Sequence, residues 1–112
     1  MKTRVALAAL LIAGSAHAEF ISGNKLFDHL NGEASDRIYA MGYIVGVFDT
    51  GRGVVHCPPS GVTVGQVRDM VHNFLRSNPQ DRNFSGDSIV NHVLKNVWPC
   101  ANKPRSGGGT AL

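Results

Sequence analysis

The feature that most constrains the fold is a run of eleven residues without a charge, from Ile38 to Phe48. At 3.6 residues per turn its apolar side chains fall on nearly every side, which is typical of a helix buried on several sides. Gly42 and Gly46 lie four positions apart and share one face. Because each glycine costs a helix roughly 1 kcal/mol relative to alanine, we expect a neighbouring helix to cross close to the backbone there. Replacing Gly46 with leucine is then expected to destabilise the chain by overpacking.

The first 18 residues have the organisation of a secretory signal peptide. Met1–Arg4 is basic, the following run is apolar, and Ala16-His17-Ala18 gives the small-x-small pattern that precedes cleavage. We predict cleavage after Ala18 and an exported protein with no membrane attachment. An uncleaved membrane anchor is the alternative, but the apolar run is short for a span of about 20 residues.

The charge of the chain argues against nucleic acid as a partner. The 112 residues carry a formal charge of +3, from eleven basic and eight acidic residues. Cleavage removes Lys2 and Arg4, so nine basic residues remain against eight acidic ones and the charge falls to +1. A domain this close to neutrality lacks the basic surface that nucleic-acid binding requires. The remaining chain is long enough for one small domain.

Two cysteines, Cys57 and Cys100, are present. Export would place them in an oxidising compartment, where a disulfide is the expected state. The bond would close a loop of 44 residues, counting both cysteines. In the chain-entropy model such a loop stabilises the folded state by roughly 4 kcal/mol.

Helical periodicity and capping signals predict an all-α fold, a small four-helix domain with one disulfide. The predicted starts are Ser22 or Asn24, Ser35, Thr63 and Ser85, and the predicted ends are Asn31, Asp49, Ser77 and Pro99. The predicted inner faces are Leu26, Phe27 and Leu30, then Val64, Val67, Val71, Phe74 and Leu75, then Ile89, Val90, Val93, Leu94, Val97 and Trp98. The domain is expected to span residues 19–100, after a signal peptide at 1–18. A disordered tail is expected at 101–112, because it contains a proline and three consecutive glycines.

Residues suited to catalysis or metal binding are few. His72 and His92 lie among polar residues at helical spacing, and we interpret both as solvated. His56 precedes Cys57, but zinc sites use closely spaced ligand pairs and none is present. A Cys–His nucleophile would need the free thiol that a disulfide consumes. We therefore predict a non-enzyme with no metal and no cofactor.

The polar connection 78–86, between the last two predicted helices, is the best candidate for binding a protein partner. Loops held by rigid elements commonly carry recognition. The residues expected to contact the partner are Asn78, Gln80, Asp81, Arg82 and Asn83. A plain linker is the competing interpretation. The basic stripe Arg68, His72 and Arg76 could also meet an acidic partner, but a solvated helix face explains it more simply.

Four motifs, in order, resemble the Tai/Rap-type immunity proteins over residues 20–100. They are Phe20-Ile-Ser-Gly-Asn-Lys-Leu26, Gly42-Tyr-Ile-Val-Gly-Val-Phe-Asp49, Cys57-Pro-Pro-Ser-Gly-Val-Thr-Val-Gly-Gln66 and Trp98-Pro-Cys100. The resemblance implies a small helical periplasmic protein that binds a peptidoglycan amidase delivered by type VI secretion. It also implies that the protein blocks the amidase's papain-like Cys–His site, often as a homodimer.

The chain departs from this pattern in one respect. Many relatives carry a second cysteine pair, for which the corresponding residues here are Asp28–Asn31 and Ala40-Met41. The departure bears on function more than on fold. A general periplasmic protein-binding or chaperone-like helical module is the alternative function, and a small hydrolase using Cys57 is a third.

Overall fold

The computed structural model describes residues 20–101, and the predicted signal peptide, its cleavage site and residues 102–112 lie outside this range. The described residues form four α-helices and no strand, which confirms the all-α prediction. The helices are α1 (Gly23–Leu30), α2 (Ala34–Gly51), α3 (Val64–Ser77) and α4 (Gly86–Val97), with a 3-10 turn at Pro79–Asp81. None of these helices combines the length and apolar character needed to cross a membrane.

Side-chain caps at α1 and α3 begin these two helices where the sequence predicts. The Ser22 hydroxyl accepts a hydrogen bond from the Lys25 N–H at 3.2 Å. At α3, the Thr63 hydroxyl accepts from the Gln66 N–H at 3.1 Å, and the Gln66 side chain accepts from the Thr63 N–H at 2.8 Å. This reciprocal pair is a capping box, which satisfies two backbone donors that a helix start otherwise leaves free.

The start of α2 differs from the prediction. Ser35 is not the N-cap, because α2 begins at Ala34 and Glu33 holds the N-cap position. The Glu33 N–H donates to the Asp36 carboxylate at 3.2 Å. Asp36 also lies 3.4 Å from the His29 imidazole at the end of α1. An acidic side chain that reaches back to the helix start thus outcompetes the serine hydroxyl.

The prediction that a helix crosses close to Gly42 and Gly46 is wrong. A methyl group built on either glycine meets no atom within 4 Å, so the expected overpacking at Gly46 does not occur. The buried stripe of α2 runs instead through Ala40 and Ile44, which are fully buried. Gly42 lies about 200° around the helix from Ala40. The central helix is therefore buried on one side, and Ile38 is 71% exposed on the other.

Three other glycines do permit close packing. A methyl group on Gly23 would lie 2.7 Å from the carbonyl oxygen of Arg82, and one on Gly86 would lie 3.0 Å from the carbonyl oxygen of Ile21. One on Gly51 would lie 3.1 Å from the His56 ring. All three stand at the ends of helices, where one chain segment crosses another.

All four helices contribute to one hydrophobic core. It consists of Ile21, Leu26, Leu30, Ala40, Ile44, Val67, Val71, Leu75, Ile89, Val90, Val93 and Leu94. Two residues predicted to face inward do not: Val64 is 43% exposed and Val97 is 51% exposed. Each occupies a terminal position of its helix, at the edge of the core.

The predicted disulfide between Cys57 and Cys100 is present. It joins the turn after α2 to the end of α4. The Cys57 N–H also donates to the Trp98 carbonyl oxygen at 2.8 Å, so the covalent link and a backbone hydrogen bond hold the same two segments together.

The open surroundings of Gly46 lead to a stability prediction. Gly46→Ala is expected to raise the free energy of unfolding by about 0.5–1 kcal/mol, because alanine loses less backbone entropy in a helix and meets no neighbour here. Urea unfolding measures the change. The matched control, Gly23→Ala, is expected to lower stability because its methyl group collides with the Arg82 backbone. A loss of stability in Gly46→Ala at a concentration where the chain is monomeric would contradict the observed packing of α2.

Candidate functional site

Backbone hydrogen bonds fix the 78–86 connection against the start of α1. The donors and acceptors are Gly23 N–H to Phe84 O at 2.8 Å, Asn24 N–H to Arg82 O at 2.7 Å, and Gly86 N–H to Ile21 O at 2.7 Å. The last of these bonds also satisfies a free donor at the start of α4. The connection is therefore a docked loop with a defined conformation, supported by residues distant in sequence.

Arg82 reinforces this docking from inside the loop. Its Nε donates to the Leu75 carbonyl oxygen at 2.6 Å, and a second guanidinium nitrogen lies 3.4 Å from the Arg76 carbonyl oxygen. These carbonyls belong to the last turn of α3, where a positive charge is favourable. The guanidinium also lies 3.8 Å above the centre of the Phe27 ring. One side chain thus links α1, α3 and the loop.

The five predicted contact residues divide into two groups. Asn78 and Arg82 use their side chains within the protein, since the Asn78 amide donates to the Phe74 carbonyl oxygen at 2.9 Å. Gln80 and Asn83 are exposed, and Asp81 is partly exposed. The outer surface of the loop therefore presents Gln80, Asp81 and Asn83, and their contact with a partner stays a prediction.

Phe84 is a feature of the loop that the sequence reasoning missed. It is 58% exposed, and it helps form a pocket of about 260 Å³. The other residues around the pocket are Phe74, Asp81, Ser88, Ile89 and His92. The sequence did contain one signal for it, a single aromatic residue within a polar connection. Such a large apolar side chain must either join the core or form an exposed apolar surface.

His56 is the second feature that the sequence did not reveal. Its side chain is fully buried, and Nε2 lies 3.1 Å from the Phe48 carbonyl oxygen. Nδ1 has no hydrogen-bond partner among residues 20–101. Burial lowers the pKa of His56 and outweighs the hydrogen bond to the Phe48 carbonyl oxygen, which acts to raise it, while the charge of Arg52 adds to the lowering. His56 therefore serves as a neutral packing residue under the end of α2.

The remaining candidates for metal binding or nucleophilic chemistry were Cys57, His72 and His92. Within residues 20–101, no three His, Cys, Asp or Glu residues are placed to hold a metal ion. The sulfur of Cys57 is bonded to Cys100. His92 is exposed, as predicted. His72 is more buried than the predicted solvated ring, since the residue is only partly exposed. Its Nε2 lies 2.9 Å from the Asn31 side-chain oxygen.

The lowered pKa of His56 predicts a loss of stability in mild acid. The unfolded chain takes up a proton near pH 6.5, whereas the buried ring resists it. The free energy of unfolding should thus be retained above about pH 6.5 and fall as the pH drops below it. Urea titrations across this range should show a shallower fall for His56→Gln. The control is His92→Gln, at an exposed position, and equal flattening in both variants would exclude His56 as the cause.

The contacts of Arg82 predict how the loop responds to its removal. Arg82→Ala should lower the free energy of unfolding by about 1–3 kcal/mol, since it removes charge-assisted hydrogen bonds and the contact with Phe27. Amide hydrogen exchange at Gly23 and Asn24, whose N–H groups donate to the loop, should quicken in parallel. Gln80→Ala, at an exposed position, is the control and should change neither quantity. Unchanged exchange in Arg82→Ala would show that the backbone bonds alone hold the loop.

Comparison with known proteins identifies the family. No curated protein matches the chain. The family model of the Rap1a immunity proteins matches residues 22–100, which includes all four helices, the docked loop and both cysteines. The chain therefore belongs to the Rap1a immunity protein family.

Proposed function

We propose that this chain is a periplasmic immunity protein that binds and inhibits a peptidoglycan amidase effector of type VI secretion. Membership of the Rap1a immunity protein family supports binding of an effector protein. The proposed mode of inhibition, steric blocking of the active site, is supported by the docked conformation of the 78–86 loop. A disulfide and a predicted signal peptide support the periplasmic location.

The inhibition proposed here is steric. The loop enters the active-site cleft of the amidase and excludes its substrate, with Gln80, Asp81 and Asn83 making the outward contacts. Because backbone hydrogen bonds and Arg82 already order the loop, little conformational entropy is lost when it binds. Asn78 and Arg82 contribute by holding the loop in shape.

A homodimer belongs to the same proposal. The outer face of α2 supplies the surface for it, since Ile38 and Tyr39 are 71% and 56% exposed and the adjacent Gly42 and Gly46 present bare backbone. A contiguous exposed apolar patch marks a protein–protein interaction site, and Ile38 continues into Gly42 and Gly46 along one face of the helix. Sedimentation equilibrium of the mature chain decides between monomer and dimer.

The same face of α2 favours one alternative function, a general periplasmic protein-binding or chaperone-like module. Such a module would bind unfolded clients through the exposed apolar residues and would not need the loop. Protection of an aggregating client that survives changes in the loop but is lost in Ile38→Lys would favour this alternative.

Inhibition assays with loop variants test the proposed function. The mature chain is mixed with a purified candidate amidase effector, and the release of peptidoglycan fragments is measured. Gln80→Arg and Asn83→Arg should each raise the inhibition constant roughly tenfold or more, because a long charged side chain at the centre of an interface blocks close packing.

The matched control is Ser60→Arg, which makes the same kind of change at an exposed turn away from the loop. It should inhibit like the wild type. A wild-type chain that binds no cell-wall amidase would overturn the proposal. Equal weakening by the control and the loop variants would overturn the role of the loop.

A further inference from the structure

The pocket beside Phe84 combines Asp81, one of the outward contacts proposed above, with aromatic surface that the steric model does not use. Phe74 and Phe84 form aromatic walls, and Ile89, which is 2% exposed, contributes buried apolar surface. The His92 ring packs against the Phe74 wall, with the two ring centres 5.4 Å apart. At about 260 Å³ the pocket is smaller than the 300–1,000 Å³ of typical small-molecule sites. It suits one anchoring side chain of a protein partner.

The charge at the pocket selects the kind of side chain. Asp81 lines it and makes no ion pair with any residue between 20 and 101. A carboxylate next to two aromatic rings favours a cation, since the rings attract positive charge on their faces and the carboxylate neutralises it. A purely apolar side chain would leave Asp81 desolvated without a partner.

The two arginines nearest in sequence to the pocket residues already have partners within the protein. The Arg82 guanidinium donates to the Leu75 carbonyl oxygen and covers Phe27. Arg76 donates to the Asn73 side chain. Neither of these two arginines is therefore free to fill the pocket, which leaves it open to a cation from another molecule.

We propose that this pocket receives an arginine side chain of the effector, an inference that rests on the proposed function. The planar guanidinium stacks on Phe84 while its N–H edge donates to Asp81, and the aliphatic stem packs against Phe74 and Ile89. Lysine fits less well, because its compact ammonium group cannot stack and donate along one edge at the same time. The pocket thus fixes the register of the loop in the amidase cleft.

Nuclear magnetic resonance titration with N-acetyl-arginine amide tests the pocket directly. Saturable shifts are expected at Asp81, Phe84, Ser88 and His92. The neutral isostere N-acetyl-citrulline amide should bind roughly tenfold more weakly, because it lacks the charge that both Asp81 and the rings attract. No saturable shifts at these residues, or equal binding of the two amides, would overturn the proposal.

Two variants and one control complete the test. Asp81→Asn should reduce arginine-amide binding roughly tenfold, and Phe84→Leu, which keeps the apolar surface but removes the ring, should reduce it severalfold. Asp87→Asn is the control, because it removes the same charge six positions along the chain, at an exposed residue that does not line this pocket. An equal loss in the control would show that only general electrostatic attraction is involved and would overturn the proposal.

The amidase assay separates this proposal from the proposed function. If the wild type inhibits the amidase and Asp81→Asn inhibits it equally well, the pocket proposal fails and the immunity function stands. If the wild type binds no amidase, the immunity function fails, and the proposal of an effector arginine fails with it. In that case the arginine-amide titration still decides whether the pocket is selective for guanidinium groups.

Discussion

The backbone hydrogen bonds between residues 21–24 and 82–86 are the constraint on which the rest of the structure depends. They bring residues 21–24, at the start of α1, against the connection that precedes α4. The contact requires glycine at position 23, because any side chain there would collide with the backbone of Arg82. With this contact in place, α1 closes over α3 and α4, and the loop becomes an ordered element of the fold. The disulfide then holds the opposite end of α4.

The helices that the sequence predicts best are those with local signals. The capping box at Thr63 and the serine at 22 determine their own helix starts through contacts three residues away, which a sequence displays directly. The orientation of α2 depends instead on tertiary contacts. The run from Ile38 to Phe48 within α2 has no charge to mark its outer surface, so its sequence did not show that Ala40 and Ile44 face inward and Gly42 faces out.

The bounds of the 78–86 loop were predictable from the sequence, but the contacts of its side chains were not. Its place between two helices followed from the proline after Asn78 and the cap at Ser85. The inward role of Arg82 did not follow, since its partners are backbone carbonyls of α3 and a ring of α1 that only folding brings together. The same holds for His56, whose burial depends on the space left by Gly51. A surface can thus be located from local sequence, whereas the partners of each side chain depend on the assembled fold.

The docking of the loop against the first helix also has a consequence for synthesis. The donors at Gly23 and Asn24 are made early, and their acceptors at Phe84 and Arg82 are made only after three of the four helices. A growing chain can form the α1–α2 pair from near neighbours, but contacts between distant residues form slowly and require both ends. The outer face of the loop therefore does not exist in a nascent chain. Only a chain made as far as the start of α4 can hold this conformation completely, because the Gly86 N–H supplies the third of these hydrogen bonds.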